Sequence, residues 1–214
     1  MYAGVFYDRY IRGLWVAADG LIYDMFREQV NAPGQLPETS GDYWVSVDYG
    51  TQNPTCFLLW QKEKNGPRWC CLREYYFSGR EAQQTGRGGQ KTDAELADDL
   101  QSWLGGIRPR SVVVDPSAAS FIAELRKRAL HVQKADNTVL DGIRNVGTLL
   151  REGRLLFARG CKRTLGEFTQ YVWDSKAADR GEDKPVKEHD HAMDAVRYFV
   201  STVLARGIRR PGNM

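Results

Sequence analysis

The chain has 214 residues, 42% of them hydrophobic and 11% aromatic, enough to bury one sizeable core and unlike a disordered segment. Its formal net charge of +3 excludes binding to nucleic acid through a global basic field, so such contacts must come from local patches. No apolar run reaches the roughly 20 residues of a membrane span, no signal segment opens the sequence, and Cys56, Cys70, Cys71 and Cys161 lack zinc-site spacing, which together indicate an intracellular protein with reduced, packed thiols.

Residues 1–30 mix aromatics and charges in a loosely helical pattern broken by Gly4, Gly13 and Gly20. Residues 31–41 (NAPGQLPETSG) have linker composition, so a boundary is expected near residue 40. Tyr43 to Gly50 then reads as a strand, because it joins aromatic and β-branched residues and ends in a turn former. Neither alternate set of its side chains is uniformly polar, which predicts a strand covered on both faces with Asp48 at its exit. Taken alone, an Asp in this place is ordinarily a turn residue or helix cap, and the rest of the chain changes that reading. Strands over 55–60 and 68–77 follow, joined by the Asn65-Gly66 hairpin signal, to make three antiparallel strands. The segment Ser78 to Lys91, with Arg80, Arg87 and Lys91 among glycines, reads as a mobile basic loop that either tracks a phosphate backbone or is simply solvated.

Thr92 and Glu95 form a capping box for a helix over 93–104. Ser111 to Pro116 is a second buried-type strand that ends, like the first, in an acid before a chain breaker, here Asp115 and Pro116. A helix over 118–130, a strand over 131–133, a helix over 139–152, a strand over 154–157 and a helix over 161–171 come next. The polar stretch 175–187 reads as a loop or small exposed hairpin. A final helix is expected over 188–205, with Ala192, Ala195, Val196, Phe199 and Val203 on its buried face and Asp190, Asp194, Tyr198 and Ser201 on the other. Residues 206–214 read as a flexible basic tail.

This order of elements, with acids at the ends of two strands and on the last helix, is similar to a ribonuclease H-like fold: α/β, with a mixed central sheet flanked by helices. If the first and fourth strands are neighbours, Asp48 and Asp115 emerge at one sheet edge and the closing helix brings Asp194 to face them. Three converging carboxylates repel one another unless a cation neutralises them. Hard oxygen ligands suit Mg²⁺ or Mn²⁺, and a pair of such ions can activate a water and stabilise the leaving oxygen of a phosphodiester.

The blocks Val47-Asp48-Tyr49-Gly50, Glu74 to Glu81, Lys91-Thr92-Asp93, Val114 to Ala118 and Asp190 to Tyr198 resemble the C-terminal nuclease domain of tailed-phage large terminase subunits, in that family's order and over roughly residues 41–205. The resemblance implies an endonuclease that cuts concatemeric double-stranded viral DNA during genome packaging by two-metal-ion hydrolysis. It implies Asp48, Asp115 and Asp194 as catalytic metal ligands for two Mg²⁺ or Mn²⁺ ions, and His191 beside them, orienting an acid, a water or a phosphate. Double-stranded DNA, the portal protein and the small terminase subunit are the implied partners, and the host cytoplasm at the procapsid the implied location.

A full large terminase also carries an ATPase motor, yet no G-x-x-x-x-G-K-[ST] loop occurs in this chain, and residues 13–24 resemble the family's connector. The expected division is therefore 1–40 as connector from a missing motor, 41–205 as nuclease and 206–214 as tail. Several readings stay open at the residue level. His191 is either a site residue or a partly buried hydrogen-bonder, and Asp190 either a fourth ligand or an acid suited to a helix start. Glu74 is either a site acid or an exposed strand residue, and Lys184 and Lys187 either reach a phosphate or an Asp, or are solvated. Two alternatives remain for the whole chain: another ribonuclease H-like nuclease, such as a junction resolvase or hybrid ribonuclease, and a non-catalytic DNA- or portal-docking module.

Overall fold

The computed structural model describes residues 20–51, 53–86 and 88–205, so the patterns read in residues 1–19 and in the tail from 206 lie outside the described residues. β1 (Thr39–Asp48), β2 (Thr55–Glu63) and β3 (Trp69–Phe77) are consecutive and antiparallel, joined where the turn formers fall. β4 (Ser111–Val114) lies parallel to β1, β5 (Val132–Lys134) parallel to β4, and β6 (Leu155–Phe157) parallel to β3. The six-stranded sheet runs β5-β4-β1-β2-β3-β6, which is the mixed ribonuclease H-like architecture expected from the order of elements.

The helices are α1 (Glu28–Asn31), α2 (Gly79–Gln84), α3 (Asp93–Leu104), α4 (Ala119–Lys127), α5 (Val139–Arg151), α6 (Lys162–Phe168), α7 (Ser175–Ala178) and α8 (His191–Phe199), the last continuing into a π-helical turn at Val200–Leu204. Strand alternation splits the core in two. Val45, Val47, Phe57 and Leu59 pack against Leu96, Leu100, Phe121 and Leu125 of α3 and α4. The alternate side chains Trp44, Cys56, Leu58 and Trp60 pack against Ile143, Phe168, Val196 and Phe199 of α5, α6 and α8. β1 is thus covered on both faces, and its buried Ser46 is satisfied by Trp60 Nε1 at 2.9 Å. All four cysteines are buried free thiols.

Several expectations need correction. The segment read as a mobile loop contains α2, started by Ser78, whose hydroxyl accepts from Glu81 N at 3.3 Å. The last helix begins at His191 rather than 188, because His189 is left-handed (φ 53°), which leaves Asp190 as the N-cap. Its polar side is not open to solvent, since Asp190, Asp194, Tyr198 and Ser201 are all buried. The stretch 175–187 holds the short α7 and a bridge between Trp173 and Pro185. Residues 20–32 pack into the main body: Tyr23 lies edge-on to Phe168 at 5.6 Å, and Asn31 Nδ2 donates to the carbonyls of Leu150 and Leu155 at 3.1 and 3.2 Å. Among the described residues no helix is long and apolar enough to cross a membrane.

Candidate functional site

Register places the first two acids. β1 and β4 run parallel with Val47 opposite Val114, so the next residues, Asp48 and Asp115, leave the sheet side by side at the same edge. The chain beyond Asp48 is fixed by Tyr49, whose ring stacks on Phe121 at 4.8 Å and whose hydroxyl donates to Asp93. Gly50 is required there, because a Cβ would stand 2.5 Å from the Asn53 carbonyl oxygen. Asp115 accepts from Ser117 N through Oδ1 and from the Tyr198 hydroxyl through Oδ2, both at 2.7 Å.

Helix α8 delivers His191, Asp194 and Tyr198, and two carboxylates set its position in sequence. Glu74 accepts from Arg163 N (2.8 Å), Thr164 N (2.9 Å) and Thr164 Oγ1 (2.7 Å), which satisfies the free amides at the start of α6. Glu74 is thereby a helix-capping residue. Glu167 on α6 then accepts from Ala192 N (2.7 Å) and Met193 N (3.2 Å) at the start of α8, and from the Tyr76 hydroxyl at 3.1 Å. So anchored, α8 lets His191 Nδ1 donate to Asp48 Oδ2 at 2.9 Å. Arg197, one turn after Asp194, donates to Asp194 Oδ1 from Nη2 at 2.7 Å and Nε at 3.3 Å, and to the Asn137 carbonyl from Nη1 at 2.8 Å. Lys187 Nζ lies 3.2 Å from Asp190 Oδ2 and 3.2 Å from Asp194 Oδ2.

The acids sense one another. Burial pushes Asp48 up to about 6, and Asp194 and Asp190 add to the rise while the His191 hydrogen bond opposes it. Burial also acts on Asp115, but hydrogen bonds from Ser117, Tyr198 and Asn137 outweigh it and hold this carboxyl below its ordinary range. For His191, burial disfavours the charged ring, yet Asp48 and the other nearby carboxylates prevail and raise it. The Tyr198 phenol is raised far above its usual value by burial, by the charges of Asp48 and Asp194, and by its bond to Asp115. One hydroxyl is thus in the field of acids from β1, β4 and α8.

Among the described residues no three His, Cys, Asp or Glu are gathered closely enough to hold a metal ion. The donor chemistry still fits a hard divalent cation, because the acids supply only oxygen, and their demand for positive charge is visible in the Lys187 ammonium bound between two of them. Glu167, Tyr198 and Arg197 were not singled out as site residues from the sequence. The i, i+3 spacing of Asp194 and Arg197 is a readable signal, whereas the partners of Glu167 are backbone amides of a distant helix and leave none.

The family model of the Terminase RNaseH-like domain matches residues 89–202. The large terminase of a thermophilic bacteriophage, solved in complex with ADP, is similar at TM-score 0.88 and 50% identity, covering 95% of this chain and 50% of that one. A terminase large subunit of Escherichia phage T5 is 24% identical over 163 residues, 74% of this chain and 35% of its own length. The nuclease domain of the SPP1 large terminase, solved with bound Mn, shares the fold at TM-score 0.55 and 14% identity, covering 86% of this chain and 98% of that one. This chain spans half the length of the thermophilic phage protein and about a third of the T5 protein.

Proposed function

Because this chain belongs to the Terminase RNaseH-like domain family and has the nuclease fold of terminase large subunits, we propose that it is a Mg²⁺- or Mn²⁺-dependent endonuclease that cuts concatemeric double-stranded viral DNA during genome packaging. The observation that carries this reading is that one helix, α8, bears Asp194 and reaches both strand-end acids, through Tyr198 to Asp115 at 2.7 Å and through His191 to Asp48 at 2.9 Å. On this reading Asp48, Asp115 and Asp194 hold two divalent ions, which supply Lewis acidity and charge neutralisation for phosphodiester hydrolysis.

The protein's own groups do the rest. Ser117 and Tyr198 fix Asp115, and Arg197 fixes Asp194. His191 commits Nδ1 to Asp48, so any contact of this ring with a water or a phosphate oxygen is made through Nε2. Arg163, ion-paired with Glu81 at 2.6 Å, lies 5.3 Å over the ring of Tyr76, itself 6.5 Å from the His191 ring, which puts a cation near the site that a DNA phosphate would have to share with Glu81. With charge this local, DNA affinity is weak and salt-dependent.

The same reading makes residues 1–40 a connector to an ATPase motor outside this chain, supported by a span of 50% of the thermophilic phage protein. It assigns the portal protein and small terminase subunit as partners, at the procapsid in the host cytoplasm. The test is nicking of supercoiled plasmid in Mn²⁺. Wild type is expected to nick, and Asp48→Asn to be at least about 100-fold slower, the upper range for disturbing a metal's surroundings; equal rates would overturn the assignment.

A further inference from the structure

We propose that Lys187 is a built-in counter-cation that occupies Asp190 and Asp194 when no divalent ion is bound and yields them when one arrives, so that it sets the metal affinity of the site. The proposal rests on the metal-dependent reading above. Four acids, Asp48, Asp115, Asp190 and Asp194, lie around α8, and three basic side chains answer them through direct bonds: His191 to Asp48, Arg197 to Asp194, and Lys187 to Asp190 and Asp194.

These cations differ in whether they can leave. The Arg197 side chain is 3% exposed and is tied through Nη1 to the Asn137 carbonyl, so it stays. Both Arg197 contacts fall on Asp194 Oδ1, which makes Oδ2 the oxygen through which Asp194 meets any other cation. Lys187 Nζ sits on that Oδ2 and on Asp190 Oδ2, at 3.2 Å from each. The two acids are only 6% and 9% exposed, whereas the Lys187 side chain is 59% exposed and enters from the irregular segment between α7 and α8. The carboxylates therefore cannot turn out to water, but the ammonium can, and as a compact, strongly hydrated charge on a flexible stem it is well received there. A lysine bridging two buried carboxylates does the neutralising work of a hard cation and must vacate the same oxygen to admit one.

Calorimetric titration of the whole chain with Mn²⁺ tests this, using wild type, Lys187→Gln, Lys187→Arg and Asp194→Asn. Removing a competing ion pair of this exposure is expected to tighten Mn²⁺ binding about five-fold in Lys187→Gln. Lys187→Arg, which keeps the charge, is expected to bind no more tightly than wild type. In chelator the Lys187→Gln protein is expected to melt below wild type, because the acids face each other uncompensated, and to regain more from added Mn²⁺. If Lys187→Gln binds with the wild-type Kd or more weakly, while Asp194→Asn loses affinity, the proposal is overturned and the metal reading stands. If neither wild type nor Lys187→Gln binds Mn²⁺, the metal reading falls and takes the proposal with it.

Discussion

Glu167 anchors a helix while buried, and that combination has a pH signature. Burial lifts its carboxyl to about 7 against the pull of the Ala192 and Met193 amides, so between its ordinary pKa and 7 the folded chain holds a proton that the unfolded chain has released. The stability contributed by this proton is complete below the unfolded value and is lost as pH rises through the folded one. In chelator, wild type is expected to lose up to about 3 kcal/mol from this group between pH 4.5 and 7. Glu167→Gln keeps an acceptor for the helix amides but cannot titrate, so its urea midpoint is expected to fall less over that window; equal falls would refute the linkage. Asp48, raised to about 6, has the same sign and leaves a residual slope in both proteins. At this scale the acids were legible where local chemistry marks them, as Asp48 and Asp115 each end a strand before a chain breaker. The partner of His191 was not, because Asp48 is 143 residues away.

Between elements, α5 packs closely on α8 at Gly142. A Cβ there would lie 2.4 Å from Arg197 Cγ and 2.7 Å from its Cδ, and Arg197 is buried with its guanidinium committed. Gly142→Ala is expected to destabilise the fold by about 1–3 kcal/mol through overpacking and to weaken Mn²⁺ binding by displacing the arginine that holds Asp194. Gly166→Ala on α6, where the nearest neighbour to a new Cβ is Gln170 Nε2 at 3.9 Å, is expected to do neither. Thermal melting and Mn²⁺ titration of the two variants check this pair. Helix α3 was fully legible because its Thr92–Glu95 capping box is local, and both bonds of the box form. Helix α2 was hidden by the glycines around it. The π-helical turn after α8 was also hidden, because a change in hydrogen-bond register leaves the apolar spacing almost intact.

For the whole molecule, residues 20–32 belong energetically to the sheet's α5, α6 and α8 side. Ile22, Tyr23 and Ala32 are buried there, and Phe26 stacks on Phe168 at 4.4 Å. A chain beginning at residue 33 is expected to lose at least about 4 kcal/mol, the burial of two or more large side chains, read as a lower urea midpoint. Composition located the Pro- and Gly-rich turn after this segment but carried no information on what Tyr23 packs against. The antiparallel trio was legible from turn chemistry, and the pairing of β4 with β1 from the ribonuclease H-like order. The place of β6 beside β3 has no local signature, since a parallel pairing is decided by the crossover between strands. One consequence follows from the rung that joins Val47 to Val114. Gaining or losing a single residue beside that rung would turn one carboxylate to the opposite side and slide it about 3.3 Å, whereas lengthening the connections between strands leaves both acids where they are. The irregularity that β1 does carry lies between Ser40 and Tyr43, at the end away from Asp48. Descendants of this sequence are free to trade loops, provided these two strands stay in step.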